Sequence, residues 1–143
     1  MKDIELIRTV EVSNTLGEGV LWNDRTQTAW WTDIQGARLF EYDIHSDRLT
    51  QRDMPHRVAC FGFVEGAPDL IVAFDCGIAL YSLRTGAMEW RVAPGALPEG
   101  LRFNDGKVDA QGRFWVGTMV ESASAAAGTA GLYCYESGHG LSS

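Results

Sequence analysis

Residues 29–43, AWWTDIQGARLFEYD, contain two strand-like segments separated by a turn at Gly36. The first segment, residues 29–33, is rich in the tryptophan and threonine residues that strands favour. The second, residues 38–43, alternates apolar and polar side chains with the period of a half-buried strand. A turn signal at residues 23–26 precedes both segments. This stretch therefore predicts a turn followed by two neighbouring strands.

The same order of turn, strand and strand recurs twice further along the chain. The later units have their turns and strands, in order, at residues 67–69, 70–73 and 78–83, and at residues 110–112, 113–117 and 131–135. A spacing of roughly 40 to 45 residues is typical of a propeller blade made from a four-stranded sheet. A β-sandwich with evenly spaced hairpins is the alternative, although it gives no reason for this order to repeat. We therefore expect an all-β protein with the architecture of a β-propeller.

The length of the chain sets the number of blades. At this period 143 residues hold about three blades, whereas propellers close with four to eight. The residues after Tyr135 show no strand pattern, so we expect the third blade to lack its last strand. We interpret residues 1–143 as the N-terminal, incomplete part of a single propeller domain. An exposed blade edge would allow two copies to associate.

Composition excludes several classes of function. The net charge of -7 disfavours nucleic acid, which is itself negatively charged. The N-terminus lacks a signal-peptide pattern and no apolar run approaches membrane length, so we expect a cytoplasmic protein without a membrane partner. The sequence has no GxSxG elbow of a serine hydrolase and no glycine-rich phosphate loop.

Cysteine and histidine spacing gives no sign of a zinc site. The three cysteines are odd in number and form no CxxC pair, and Cys60 and Cys76 lie among apolar residues, so both are interpreted as core fillers. The three histidines, which include His56, show neither HxH nor HExxH spacing. Asp33 and Asp75 lie beside predicted turns and are interpreted as turn formers.

Two segments place oxygen ligands among glycines at predicted strand edges. Glu18 stands between Gly17 and Gly19, where its carboxylate would suit a hard cation at the mouth of a propeller channel. A surface turn glutamate is the simpler alternative. Arg102 and Asn104 offer donors and an amide oxygen that suit a sugar hydroxyl, although a plain hairpin loop would explain them equally well.

Four segments together resemble the SMP-30/gluconolactonase/LRE family, which includes regucalcin and bacterial sugar lactonases. The segments that carry the resemblance, in chain order, are residues 16–22 (LGEGVLW), 31–34 (WTDI), 102–107 (RFNDGK) and 112–119 (GRFWVGTM). The resemblance covers nearly the whole chain and implies a six-bladed β-propeller with one divalent metal ion at the channel mouth.

The resemblance also implies roles for individual residues. Glu18 matches the first metal ligand, and Arg102 and Asn104 match residues that bind the sugar lactone. Glu121 matches an acidic substrate contact, with the neighbouring Ser122 as the alternative in a register shifted by one. The other two ligands, an Asn and an Asp that also serves as general base, are expected beyond residue 143. The metal would be calcium, zinc, manganese or magnesium.

The function that the resemblance implies is metal-dependent ring opening of an aldonolactone, impaired in a chain that lacks two ligands. One alternative is a non-catalytic, calcium-binding propeller of the regucalcin type. Another is a hydrolase of phosphotriesters or aryl esters, against which the polar pair Arg102 and Asn104 argues. The small-molecule partner expected is therefore a sugar lactone.

Overall fold

The computed structural model describes residues 3–123 and 128–143, which form three four-stranded antiparallel sheets and no helix. Each sheet is a meander, because strands that follow each other along the chain are also neighbours in the sheet. The first sheet consists of β1 (Gly17–Asn23), β2 (Thr28–Asp33), β3 (Arg38–Asp43) and β4 (Arg48–Asp53). The second consists of β5 (Val58–Phe63), β6 (Leu70–Phe74), β7 (Ile78–Tyr81) and β8 (Met88–Val92). The third consists of β9 (Leu101–Val108), β10 (Phe114–Val120), β11 (Leu132–Glu136) and β12 (Gly140–Ser142).

These sheets are the three blades that the repeat predicted. β1, β5 and β9 are edge strands of their own sheets, and β5 contacts both β1 and β9. They are therefore the innermost strands of three blades arranged side by side around a common axis. A sandwich of two facing sheets does not fit this arrangement, so the all-β propeller expectation is confirmed.

The second blade is buried on both faces, and its strand β6 shows why. All five residues of β6 are buried, and successive side chains of a strand point to opposite faces. Leu70 and Val72 pack with Trp30 of the first blade, whereas Ile71 packs with Phe114 of the third. Each fully buried side chain of this size contributes about 1.5–3 kcal/mol. Apolar contact therefore holds the three blades together.

The third blade corrects one expectation from the sequence. It was expected to lack its last strand, but Gly140–Ser142 forms β12 and pairs with β11 through Tyr135 opposite Leu141. A turn closed by the His139 N–H donating to the Glu136 carbonyl leads into it. The strand is only three residues long, too short to show an alternating pattern. Within the described residues, no helix is long and apolar enough to cross a bilayer.

Candidate functional site

The starts of the three inner strands lie at one end of the blades. Gly17 of β1, Val58 of β5 and Leu101 of β9 each pair with the end of the second strand of their own blade. Two contacts join the blades at this level. Thr32 Oγ1 donates to the Val58 carbonyl at 2.9 Å, and the Phe103 N–H donates to the Asp75 carbonyl at 3.3 Å. We call this end, formed by the starts of β1, β5 and β9, the mouth.

An ion pair between the second and third blades dominates the mouth. Arg57, just before β5, donates from Nη1 and Nη2 to the two carboxylate oxygens of Glu121 at 2.7 and 2.8 Å. Its Nε donates to Asp75 Oδ2 at 2.8 Å. The hydrogen bonds from Arg57 are the largest influence on Glu121 and lower the pKa of its carboxyl. The same contacts, that to Glu121 first, raise the pKa of Arg57, so both groups stay charged near neutral pH.

Arg102 connects this ion pair to Asn104. The Arg102 side chain is buried, and its Nε donates to Glu121 Oε1 at 3.1 Å. Its Nη1 donates to the Phe103 carbonyl at 2.9 Å and to Asn104 Oδ1 at 3.1 Å. The guanidinium fork therefore fixes the orientation of the Asn104 amide and turns its Nδ2 donor away from Arg102.

Glu18 lies at the mouth but stands apart from this network. It pairs with Thr32 across the first blade, at the level of the contact to Val58. A bulge follows between Glu18 and Leu21, and Gly19 there has φ = 66°, a left-handed backbone that glycine adopts without strain. Glu18 is exposed, and its carboxylate has no hydrogen bond or ion pair within residues 3–123 and 128–143.

The donor set for a hard cation at Glu18 is incomplete. Among the described residues, the groups of three or more His, Cys, Asp and Glu side chains close enough to share an ion do not include Glu18. A calcium ion takes six to eight oxygen ligands, and magnesium requires near-octahedral geometry. An exposed, unpaired carboxylate fits as one ligand of such a site, but not as the whole site.

An open cleft of about 480 Å³ runs between the inner strands. Its lining includes Gly19 of β1, Phe61 of β5 and Lys107 of β9. Gly106 also lines it, and a methyl group there would overlap with the Trp115 carbonyl of β10. The glycine thus lets the backbone of β9 approach β10 closely beside the cleft.

The structure brings together three of the four site residues that the sequence predicted. Arg102, Asn104 and Glu121 form one hydrogen-bonded set, and Glu18 lies at the same end without contacting it. At the neighbouring position, the Ser122 N–H donates to the Gly100 carbonyl. Whether the four bind metal or substrate remains a prediction.

Sequence reasoning missed Arg57 and underestimated Asp75. Arg57 is 64 residues from Glu121 along the chain, and it belongs to none of the motifs recognised in the sequence. The signal available was its position, because it immediately precedes the inner strand of its blade, near where Glu18 and Arg102 stand in theirs. Asp75 does close a turn, but its side chain bonds Arg57 as well.

Comparisons with known proteins agree with the fold of the three blades. Residues 16–142 match the model of the SMP-30/Gluconolactonase/LRE-like region. The chain is 36% identical to an L-arabinolactonase of Azospirillum brasilense over 86% of its length, and 37% identical to a 6-deoxy-6-sulfogluconolactonase of Pseudomonas putida over 77%. A crystal structure of regucalcin, a calcium-binding protein from Agrobacterium tumefaciens, superimposes with a TM-score of 0.78 at 28% identity, covering 92% of this chain.

The chain covers less than half of each of these proteins. It spans 41% of the arabinolactonase, 38% of the sulfogluconolactonase and 43% of the regucalcin chain. Because the matches cover 77% to 92% of this chain, the whole chain corresponds to nearly half of each relative, which agrees with three blades of a six-bladed ring. The family match over residues 16–142, with the propeller fold, shows that the chain belongs to the SMP-30/gluconolactonase/LRE family.

Proposed function

We propose that the full-length protein containing these residues is a cytoplasmic sugar lactonase that opens an aldonolactone ring by hydrolysis. The observation that carries the proposal is the buried Arg102, which holds Asn104 and Glu121 together at the mouth. Two relatives with 36% and 37% identity are named as sugar lactonases, which supports the same substrate class.

Asn104 supplies a donor suited to a lactone. Its Oδ1 accepts from Arg102, so its Nδ2 is the end of the amide that remains for a ligand. No described group accepts a hydrogen bond from this nitrogen with good geometry. The ring oxygen, carbonyl oxygen and hydroxyl oxygens of an aldonolactone are all acceptors for such a donor.

Glu121 supplies an acceptor. A carboxylate has about four acceptor positions, and Glu121 uses three of them for Arg57 and Arg102. One position therefore remains for a sugar hydroxyl. Because two guanidinium groups fix the carboxylate, it can orient a hydroxyl without losing much side-chain entropy on binding.

A divalent ion is part of the proposal. Glu18 would hold it together with ligands outside these 143 residues, and the bound ion would polarise the lactone carbonyl. The residues described here bind and orient the sugar, and we expect little turnover from them alone, because one carboxylate cannot complete the metal site.

The test is hydrolysis of several aldonolactones by the full-length protein with added zinc, calcium, manganese or magnesium. The rate of hydrolysis is measured as the rate at which acid is released. Arg102→Met should lower kcat/KM by roughly 10- to 100-fold, since a hydrogen bond to a charged group contributes about 1.5–3 kcal/mol. Asn104→Ala should lower it about tenfold. Glu18→Gln should raise the metal concentration for half-maximal turnover by about tenfold or more.

The matched control is Arg91→Met. Arg91 lies on the outer strand β8 and, among the residues that the structure describes, pairs with Glu89 alone, so its loss should leave kcat/KM unchanged. Equal losses for Arg91→Met and Arg102→Met would contradict the assigned role of Arg102. Absence of metal-dependent ring opening with every lactone tried would overturn the lactonase proposal.

A non-catalytic calcium-binding protein is the second candidate, because one of the similar solved structures is that of a regucalcin described as calcium-binding. Calcium titration of the full-length protein, with Glu18→Gln as the comparison, separates the two. Calcium binding that depends on Glu18, without turnover of any lactone, would favour this second function.

A further inference from the structure

A second group of metal-ligating side chains lies at the mouth, apart from Glu18. His56 precedes β5, and Asp75 and Cys76 form the turn between β6 and β7. One ligand atom from each of these three residues lies within 4.8 Å of the other two. All three residues are half-buried. Nitrogen, oxygen and sulfur donors thus converge on one point in the second blade.

One carboxylate oxygen of Asp75 has no hydrogen-bond partner among the described residues. Its Oδ2 accepts from Arg57 Nε, whereas its Oδ1 is buried and accepts no hydrogen bond of good geometry from a described residue. A buried acceptor without a partner costs about 1–3 kcal/mol. A cation bound at Oδ1 would remove that cost. Arg57 meanwhile orients the carboxylate, as groups behind metal ligands commonly do.

The His56 ring is held by packing and is free of competing hydrogen bonds in the described part of the chain. Its ring packs edge-on against Phe74 and Trp90, with centroids 5.6 and 5.7 Å away. These contacts fix the ring and leave its nitrogens available as ligands. An imidazole fixed in this way loses little entropy when it binds a metal.

Cys76 completes the set as a thiol. Burial, and next the negative charge of Asp75, raise the pKa of Cys76, so without a metal it carries its proton at neutral pH. Metal binding would form a metal–sulfur bond and release that proton to solvent. One thiolate and one carboxylate would offset the two positive charges of a divalent ion, and Glu121 lies beside them between Arg57 and Arg102.

We propose that His56, Asp75 and Cys76 form a binding site for a thiophilic divalent transition metal such as zinc, with the fourth tetrahedral position open to water. A nitrogen, an oxygen and a sulfur ligand suit zinc or cobalt, whereas calcium and magnesium prefer oxygen alone. The site is separate from the hard-cation ligand Glu18, and it does not depend on the lactonase proposal.

Cobalt provides the test, because a cobalt–thiolate bond gives a charge-transfer absorption band in the near ultraviolet and tetrahedral cobalt absorbs strongly in the visible. The protein is titrated with Co²⁺ in buffer that contains a phosphine reductant, which keeps the thiols reduced. We expect both bands to saturate at one equivalent and to disappear when Zn²⁺ is added. Excess Ca²⁺ should leave them unchanged.

Four variants make the test specific. Cys76→Ser should abolish the charge-transfer band, and His56→Gln should weaken cobalt binding by at least about tenfold. Cys134→Ser, which removes the cysteine of the third blade, and Glu18→Gln should leave the band unchanged. Circular dichroism of each variant confirms that it has folded.

Two results would overturn the proposal. One is a charge-transfer band that survives Cys76→Ser. The other is a folded, reduced protein that binds no cobalt in equilibrium dialysis. Because the readout is absorption and not turnover, failure of the lactonase assay leaves this result unaffected.

Discussion

Asp33 in the first blade and Asp75 in the second occupy equivalent turns but have opposite surroundings. Asp33 is the last residue of β2, and Asp75 directly follows β6. Both lie opposite the start of the inner strand of their blade. The Asp33 carboxylate is fully buried and accepts from the N–H groups of Thr15, Leu16 and Gly36 and from Arg38. Asp75 is partly exposed and bonds Arg57, and its Oδ1 has no hydrogen-bond partner in the described part of the chain.

The difference shows how one position can serve structure in one blade and binding in the next. Backbone N–H groups and Arg38 surround the Asp33 carboxylate and use all its hydrogen-bond acceptor positions. Arg57 occupies one oxygen of Asp75, so acceptor positions remain there for a ligand. We therefore expect Asp33 to contribute mainly to stability and the Asp75 region mainly to binding, and four predictions test that division.

The largest expected effect is that of Asp33→Ala. The substitution leaves three N–H groups and the Arg38 guanidinium without their buried acceptor, and breaking a buried pair in this way costs about 3–5 kcal/mol. Urea unfolding measures the loss. Asp53→Ala on the exposed edge strand β4 is the control and should stay within about 0.5 kcal/mol of the parent. Equal losses in the two variants would contradict the assigned role of Asp33.

The Asp33 carboxylate should also make the free energy of unfolding depend on pH in acid. Burial acts to raise the pKa of Asp33, but hydrogen bonds from Leu16, Thr15, Arg38 and Gly36 outweigh it and lower the pKa from 3.8 to about 2. Because the folded-state pKa is depressed, the stabilisation is present above pH 3.8 and is lost as the pH falls through about 2. It amounts to roughly 2 kcal/mol.

The free energy of unfolding is measured from about pH 5 to about pH 2 for the parent and for Asp33→Asn. The parent should lose roughly 2 kcal/mol more than the variant over this range, so that the two curves approach each other in acid. Parallel curves would show that another carboxyl group controls the acid limb.

The fold was largely predictable from the sequence because strand signals are local. Alternation in residues 38–43 and the run of residues 70–73 located β3 and β6 without knowledge of their partners. The turn role of Asp33 was also readable, since Gly36 follows it within three residues. β12 was missed because its pairing with β11, and not its composition, makes it a strand.

The site was less predictable because its contacts join distant parts of the chain. Arg102 and Asn104 are two residues apart and could be recognised as a motif. Arg57 and Glu121 meet only after the second and third blades pack together, and no local pattern encodes that meeting. The grouping of His56 with Cys76 has the same origin, because it depends on where β5 begins and β6 ends.

A smaller effect is expected from Gly36→Ala. A methyl group at this position would overlap with Asp33 Oδ2 and approach Arg38 Nε to 2.8 Å. The partly exposed arginine can move aside, but the buried Asp33 carboxylate is held by its four donors, so we expect a loss of about 2 kcal/mol, in the middle of the usual range for overpacking. Thermal and urea unfolding measure it. Gly131→Ala is the matched control, because the nearest described side chain to a methyl there is Tyr133, at 3.4 Å.

The smallest effect on stability should come from Arg57→Met, although this side chain joins two blades. Arg57, Asp75 and Glu121 are all partly exposed, and such ion pairs contribute about 1 kcal/mol or less. The clearer readout is the pKa of Glu121, which Arg57 lowers more than any other group and which should rise towards its ordinary value in the variant. Carboxyl chemical shifts in an NMR titration measure it.

Arg91→Met should leave that pKa unchanged, because Arg91 lies on the outer strand β8 and pairs there with Glu89. A stability loss for Arg57→Met as large as that for Asp33→Ala would remove the contrast between the two turns. The main role of Arg57 would then be to link the second and third blades, and the polar character of the mouth would follow from the packing of those blades. A small loss together with a raised Glu121 pKa would instead mean that apolar contact through β6 holds the blades together, while Arg57 sets the charge that a ligand meets.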